Sequence, residues 1–395
     1  MHILLIASFF PPANSIASHR LYSFAKYLPE FGIDVDVITP KRKGNLNLDT
    51  SGINVTYPYS DPRSVTKFAK KKNKIRDALK YSGIRSCKHY LTSKFYHSAK
   101  KMITADFIAP FDAVMVSYGN EDALRLACYI HKKYKLPLII DYRDLWYDNL
   151  YANWTPLDKL IIYFLEKRII KKAKLITTVS KNLAEQLAGR YHVKANVIYN
   201  GYFDFIKQYA VRFDKPNIAT TTFCYCGSLY GGIQPIEVFY PLLAENQNFY
   251  LNIAVLDEVD RELVESLNAQ YCVRDQVTIY FNLSYEKAIA LEKQADFLLF
   301  LNRLDGVAKG VLTGKLFEYM ALGNKIIGIG HPGDEAGELI RQYSLGCYCH
   351  SSIELGVEIK KMLDSAHQPS KDIFLFDRRE QARVLAELIK TEIFQ

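Results

Sequence analysis

An α/β fold, with two consecutive doubly wound parallel sheets, follows from three observations. Short apolar strands alternate with amphipathic helices along nearly the whole chain. The alternation breaks once, over roughly residues 203–220, and then restarts. The length of 395 residues exceeds one ordinary hydrophobic core. The predicted domains are therefore 1–202 and 221–377, joined by a linker at 203–220 and followed by a helical segment at 378–395.

Composition narrows the class. A hydrophobic content of 49% and a charged content of 24% are ordinary for a globular protein. No apolar run reaches the length of a membrane span. The chain opens directly on a strand, MHILLIAS, without a basic-then-apolar leader, so a cytoplasmic location is expected. The seven cysteines form no CxxC pair, and Cys224/Cys226 and Cys347/Cys349 alternate along strands. Buried reduced thiols explain them better than a metal or a disulfide.

The net charge of +9 is concentrated in one place. The segment 63–104 holds thirteen Lys/Arg against one Asp, a net +12, so the rest of the chain is slightly acidic. Phe68, Tyr81, Tyr90, Phe95 and Tyr96 are interleaved with these charges. A solvated, partly helical insertion accounts for the pattern, and so does contact with an anionic membrane surface or an anionic acceptor. No nucleic-acid-binding motif accompanies the patch, so nucleic acid is not an expected partner.

In order, His2–Ser8 reads as a strand, Ser18–Phe31 as a helix closed by Gly32, and Asp34–Thr39 as the next strand. The intervening loop, FFPPANSIAS, is rich in Pro and Ser rather than Gly, so it is not a dinucleotide fingerprint. Asn14 and Ser15 offer polar groups at the strand ends, where open α/β sheets bind ligands, although helix capping explains each equally well. Asp112–Ser117 and Leu136–Ile140 are strands around a helix at Asn120–Tyr134. The second of these strands runs into DYRDLW, which places Asp141, Arg143, Asp144 and Trp146 at a ligand-binding edge. These charges either pair among themselves or contact hydroxyls, and their position favours the second. Leu157–Lys172 is a helix with a basic end, and helix electrostatics explains that end better than a membrane contact does. Leu175–Val179, a helix from Lys181 capped by Ser180, and Val197–Tyr199 complete the first half, before the turn Asn200-Gly201.

The second half restarts at Thr222–Cys226 and the loop GSLYGG, Gly227 to Gly232. A glycine directly after a strand lets backbone approach a ligand closely. Strands Tyr250–Val255, Gln276–Phe281, Phe297–Leu301, Lys325–Ile329 and Gly346–Cys349 alternate with helices, among them Pro332–Tyr343. The last helix covers about Arg378–Glu392.

The most informative stretch is GVLTGKLFEYMAL, Gly310 to Leu322. It follows a strand and a polar loop, Asn302–Lys309, and reads as a helix capped by Thr313 and ending near Gly323. A helix N-terminus after a strand and loop presents free N–H groups and the positive end of the helix dipole to an anion. Lys315 adds a full positive charge in the first turn, where a lysine is unfavourable unless an anion sits nearby. Glu318, one turn on, can accept both hydroxyls of a ribose. On composition alone a solvated helix start explains the pair, but the organisation of the whole chain favours a site.

The pieces ILLIASFFPPANSIASHR, PLIIDYRDLW, LEKRIIKKAKLITTVSKNL, VIYNGY, YCGSLYGG and LTGKLFEYMALGNKIIGIG, in this order and spacing, resemble a glycosyltransferase of the GT-B fold, similar to family 4, the retaining nucleotide-sugar enzymes. The resemblance covers nearly the whole chain. It implies two Rossmann-like domains facing a cleft, with the donor held by the C-terminal one and the acceptor by the N-terminal one. It also implies that helix 378–395 packs back on the first domain. On it, Glu318 matches the ribose-binding glutamate, Gly227 and Ser228 the glycine loop beside the donor phosphates, and Asn200 and Gly201 the interdomain turn. Two departures stand out. Gly310 occupies the position of the first glutamate of the usual pair, which normally contacts the sugar, and GSLYGGIQP lacks the usual Arg and Lys. Phosphate charge then falls to Lys315, Lys309 and Arg303, with Val311, Leu312 and Thr313 completing the donor-binding candidates.

What the resemblance implies chemically is front-face transfer in which the leaving phosphate takes the acceptor proton, so no side-chain nucleophile is required. Lys315 and Glu318 are the catalytic candidates on the donor side, and Asp141 and Asp144 those that orient the acceptor. Asn14, Ser15, Arg20, Tyr118 and Arg143 are candidate acceptor contacts. His19 and His97 read as structural or solvated. No DxD-type pair stands out, so metal-independent transfer with no cofactor beyond the nucleotide sugar is expected. UDP is the default nucleotide, with GDP open. The expected acceptor is a glycan or lipid-linked glycan of surface polysaccharide biosynthesis. A nucleotide-sugar epimerase of the same architecture and a non-catalytic binding module are the rival readings. Few acid/base residues argue against the first, and Gly310 supports the second.

Overall fold

The computed structural model describes residues 1–64, 93–119, 121–149, 154–213 and 220–394. Its contacts divide the chain into two units, Met1–Asn200 with Arg378–Gln395, and Gly201–Asp377.

The first unit is built on a seven-stranded sheet. In chain order its strands are β1 (His2–Ile6), β2 (Asp34–Ile38), β4 (Asn54–Thr56), β6 (Ala113–Tyr118), β7 (Leu138–Tyr142), β8 (Leu175–Thr178) and β9 (Asn196–Val197). They lie in the order β4-β2-β1-β6-β7-β8-β9, and the pairings are parallel. A separate parallel pair joins β3 (Lys41–Lys43) to β5 (Ser60–Ser64). Every residue of β6 and β7 is buried, as both-face coverage by crossover helices requires. Each fully buried Leu, Val or Ile there contributes ~2 kcal/mol relative to exposure. β7 extends two residues beyond the expected strand, so Asp141 and Tyr142 are strand residues rather than loop residues.

Helix Arg378–Phe394 packs on helix Ile16–Tyr27 within this unit. Gln381 Oε1 accepts from the Tyr199 N–H at 2.6 Å, and Lys194 pairs with Glu392 at 2.9 Å. Of the basic segment, residues 65–92, with Phe68, Tyr81 and Tyr90, lie outside the described residues. Its described end is helix Lys94–Met102, which buries Phe95 and Tyr96 in the core, so these two aromatics are packing residues and not part of a basic face.

The second unit is a six-stranded parallel sheet of β10 (Thr221–Cys226), β11 (Phe249–Val255), β12 (Val277–Phe281), β13 (Phe297–Leu301), β14 (Lys325–Ile329) and β15 (Gly346–Cys349). Their order is β12-β11-β10-β13-β14-β15. The chain winds outward from β10 in one direction, returns, and winds outward from β13 in the other. The switch point therefore lies between β10 and β13, where ligands enter open α/β sheets. Cys224 and Cys226 are buried on one face, their sulfurs 3.7 Å apart.

The expected linker is shorter than 203–220, because the chain after Asn200 is already tied into the second unit. The Tyr202 N–H donates to Phe376 O at 2.9 Å, and Lys293 Nζ donates to Lys207 O at 2.7 Å. The Phe213 N–H donates to Gln294 Oε1 at 3.1 Å. Residues 214–219 lie outside the described residues. Among the described residues no helix is long and apolar enough to cross a membrane.

Candidate functional site

In the second unit, helix Gly314–Leu322 starts beside the switch point, directly after the loop that leaves β13. Its apolar positions Leu316, Phe317, Tyr319 and Met320 are buried, which fixes the helix against the sheet and leaves Lys315 and Glu318 half-exposed. Thr313 occupies the N-cap position with extended backbone, but its side chain makes no capping hydrogen bond. The first N–H groups of the helix are thus not consumed by their own cap. Gly323 closes the helix in the left-handed region at φ 76°, a conformation that favours glycine.

Lys315 reaches across the switch point. A Cβ on Gly227 would lie 2.7 Å from Lys315 Cε, so the missing side chain at the end of β10 makes room for the lysine stem. Its ammonium sits 3.3 Å from Oε1 of Glu292, a fully buried carboxylate on helix Tyr285–Gln294. Burial pushes Glu292 up to about 7 despite the neighbouring ammonium. Burial also works against the Lys315 charge, but the Glu292 and Glu318 carboxylates outweigh it and hold the ammonium above its usual range.

Glu318 Oε1 accepts a 2.7 Å hydrogen bond from the Tyr285 hydroxyl, and the Tyr285 ring meets Tyr209 edge-on at 6.3 Å. The carboxylate is therefore oriented before any ligand binds. Glu292 and Tyr285 were not singled out from the sequence, yet a signal was present. Tyr285, Ile289 and Glu292 recur at helical spacing, which places a carboxylate on the buried face.

The glycine loop is organised differently from expectation. The N–H groups of Leu229 and Gly231 both donate to the buried carboxylate of Asp260, at 2.6 and 2.8 Å, and Ser228 Oγ donates to the same group at 2.8 Å. The Gly227 N–H donates to Ala254 O at 2.9 Å. Asp260 thus shapes the loop and takes N–H groups that a phosphate would otherwise use. Gly227 contributes space rather than a donor.

Among the other donor candidates, Arg303 Nε lies 3.1 and 3.2 Å from the two Asp305 oxygens, so its charge is engaged on its own loop. Lys309 is exposed, and its carbonyl accepts from the Glu335 N–H at 2.9 Å. The Val311 N–H donates to Ala308 O at 2.9 Å, and Leu312 is buried. Both hold the loop that presents the helix start. Nearby, Asp334 is fully buried and accepts from Asn302 Nδ2 at 3.0 Å and the Tyr348 hydroxyl at 2.6 Å, with its carboxyl raised above the usual range by burial.

In the first unit the structure corrects the reading of Asp141 and Arg20. Strand register places Ser117, Asp141 and Thr177 side by side on β6, β7 and β8. Both hydroxyls donate to Asp141, at 3.0 and 2.8 Å. Arg20, from helix Ile16–Tyr27, completes a two-pronged pair at 3.0 and 2.7 Å, and also donates to Tyr199 O at 3.0 Å. Asp141 and Arg20 are 0% and 1% exposed. Burial opposes the Asp141 charge, but Arg20 and the two hydroxyls hold its carboxyl below the usual range. With four hydrogen bonds accepted and no exposure, Asp141 is a clamp between sheet and helix and offers nothing to an acceptor.

Of the remaining acceptor candidates, Asn14, Ser15, Arg143 and Asp144 lie nearer the surface, whereas Tyr118 does not. Arg143 and Asp144 pair at 2.6 Å, with Asp144 the more exposed. Tyr118 is buried, its ring 5.8 Å from that of Trp146, and burial raises its hydroxyl. Asn14 Nδ2 donates to Asn45 Oδ1 at 3.3 Å, and Ser15 caps helix Ile16–Tyr27 by accepting from the Ser18 N–H at 3.1 Å. His19 is buried, and burial and Arg378 push its pKa down to about 3, which makes it a neutral packing residue.

Residues 17–202 match the family model described as Glycosyltransferase Family 4. The whole chain has the GT-B fold. It is similar to the sucrose-phosphate synthase of Thermosynechococcus elongatus at a TM-score of 0.64 and 14% identity, covering 100% of this chain and 96% of that one. It is similar to the lipopolysaccharide outer core galactosyltransferase WaaB, apo form, at 0.61 and 15%, covering 99% and 100%. A third similar structure is HepE of Anabaena in complex with UDP-glucose, at 0.57 and 12%, covering 100% and 95%. No curated protein matches the sequence. The family 4 match ends at Tyr202, so Lys315, Glu318 and Glu292 lie outside the matched span.

Proposed function

We propose that this chain is a retaining, metal-independent glycosyltransferase that moves a sugar from a nucleotide diphosphate sugar, in the first instance a UDP-sugar. The acceptor in this reading is a glycan or lipid-linked glycan of surface polysaccharide biosynthesis. The observation that carries the reading is the Lys315 ammonium, threaded past Gly227 at the switch point and placed at the open end of helix Gly314–Leu322. A leaving diphosphate develops negative charge, and a preorganised cation with helix N–H groups stabilises it without reorganisation. Glu318, aimed by Tyr285, suits the two ribose hydroxyls. The UDP-glucose complex of HepE, with the same fold, supports the nucleotide class.

On the acceptor side Asp144 and Arg143 remain the candidates, because Asp141 is sealed. Arg303 is already paired, so Lys315 bears most of the phosphate charge, with Lys309 as the second cation.

The test is release of a nucleoside diphosphate from a panel of UDP-, GDP- and ADP-sugars, with and without lipid-linked acceptors. Release with one donor, lost in Lys315→Ala and Glu318→Ala, supports the reading. Conversion of donor without acceptor points instead to an epimerase. Gly310, where the family commonly has a glutamate, favours a non-catalytic module as the second reading, and binding of no nucleotide would select it.

A further inference from the structure

Helix Pro156–Ile170 of the first unit leaves part of its apolar surface uncovered. Its inner side buries Ile162, Ile169 and Ile170. Its outer side carries Leu157, Leu160 and Phe164, which are 62%, 54% and 61% exposed. Their spacing of three and four residues places them in one stripe along the helix. Among the described residues no other helix shows three large apolar side chains more than half exposed in a single stripe. Folding alone does not retain such a stripe, because each exposed Leu or Phe forgoes burial that a polar residue at the same position would not need.

Along the described residues 155–174 every exposed charge is positive. Lys159, Arg168, Lys171, Lys172 and Lys174 are exposed, and Lys167 is half-buried. The two acids of the same segment are turned inward. Asp158 closes a capping box with Thr155, and Glu166 accepts from the Tyr147 N–H at 3.0 Å and the Tyr191 hydroxyl at 2.7 Å. On this helix the apolar stripe therefore continues into the exposed positive charges of Arg168 and Lys171 past the helix end.

We propose that this face of helix Pro156–Ile170 docks on an anionic lipid bilayer, with Leu157, Leu160 and Phe164 entering the headgroup boundary and the lysines and Arg168 contacting lipid phosphates. The combination of a convex apolar stripe and a basic border is the chemistry of an interfacial helix. A second copy of this chain fits worse, since an isologous contact would set the same basic rim against itself. The stripe is separate in sequence from the basic segment 63–104 and does not depend on which donor the chain uses.

The experiment is flotation of the full chain with vesicles of phosphatidylcholine alone and of phosphatidylcholine with phosphatidylglycerol. Binding is expected only to the anionic vesicles and is expected to weaken with salt. The triple variant Leu157→Asn, Leu160→Asn, Phe164→Asn keeps every charge. Its bound fraction is expected to fall about tenfold, with the melting temperature and any nucleotide-induced thermal shift unchanged. The single variant Phe164→Trp is expected to bind as wild type and to lose indole fluorescence to brominated lipid. The proposal is overturned if wild type ignores anionic vesicles, if the triple variant binds as wild type, or if the Phe164→Trp indole is not quenched in bound protein. A concentration-dependent dimer that the triple variant abolishes would also overturn it, because a second copy would then cover the face.

Discussion

The ammonium of Lys315 lies 3.3 Å from the carboxylate of Glu292, a residue with no solvent exposure, and passes Gly227 on the way. Three elements that are far apart in the chain thus meet at one cation. The loop after β10 contributes the gap, helix Tyr285–Gln294 the counter-charge, and helix Gly314–Leu322 the lysine itself. This arrangement holds Lys315 charged and in place before any anion arrives.

Replacing the lysine tests its part in binding. Lys315→Met is expected to weaken nucleoside diphosphate binding about 10- to 100-fold, the worth of a charge-assisted contact. Isothermal titration at pH 7.5 measures it. A variant that binds nucleotide as wild type places the phosphates elsewhere.

Glu292 gives a pH signature. Its folded pKa, near 7, is raised from 4.5, so the folded state holds its proton more tightly than the unfolded state does. The stability this supplies is fully present below about pH 4.5 and is lost as pH rises to about 7, a contribution of ~3 kcal/mol. Glu292→Gln should flatten that part of the curve. Melting temperatures of both proteins at pH 5 and pH 8 decide it. Parallel curves would mean that Glu292 is ionised like a surface carboxylate.

Gly227→Ala tests the close approach. The new Cβ would stand 2.7 Å from Lys315 Cε, the flexible part of a side chain, so the lysine moves and the fold survives. Nucleotide affinity is expected to fall about tenfold with little loss of stability. An unchanged affinity would show that Lys315 binds from a different rotamer.

Glu318 and Tyr285 form a coupled pair. Glu318→Ala is expected to weaken UDP about 10-fold or more and to erase any preference for UDP over 2′-deoxy-UDP, whereas Tyr285→Phe should cost only about 3-fold. Titrations of both ligands against the two variants measure the coupling. Retained discrimination in Glu318→Ala would remove the ribose assignment.

The clamp in the first unit predicts stability rather than activity. Asp141→Leu leaves Arg20 buried without its counter-charge and should destabilise the protein by ~3–5 kcal/mol. Adding Arg20→Met should restore much of that loss. Thermal melts of the single and double variants check it. A double variant as unstable as the single one would mean that the hydroxyls of Ser117 and Thr177 dominate.

What the sequence determined by itself is the part written in local pattern. The alternating strands and helices, the restart after residue 220, and the helix from Thr313 to Gly323 are set by apolar period, capping residues and glycine. Strands Phe297–Leu301, Lys325–Ile329 and Gly346–Cys349 therefore have the expected boundaries. Lys315 and Glu318 could be singled out because their positions on that helix follow from spacing alone.

The tertiary structure decided what each charge faces. Asp141 and Arg20 are 121 residues apart, and no local pattern shows that register and helix packing close them into a buried pair. Glu292 reads as an ordinary helix glutamate until the switch point brings Lys315 to it. Asp260 is sequestered by loop N–H groups that the sequence alone would assign to phosphate. Secondary structure depends on neighbours along the chain, whereas the partner of a charge depends on which strands lie side by side, and that follows only from folding the sheet.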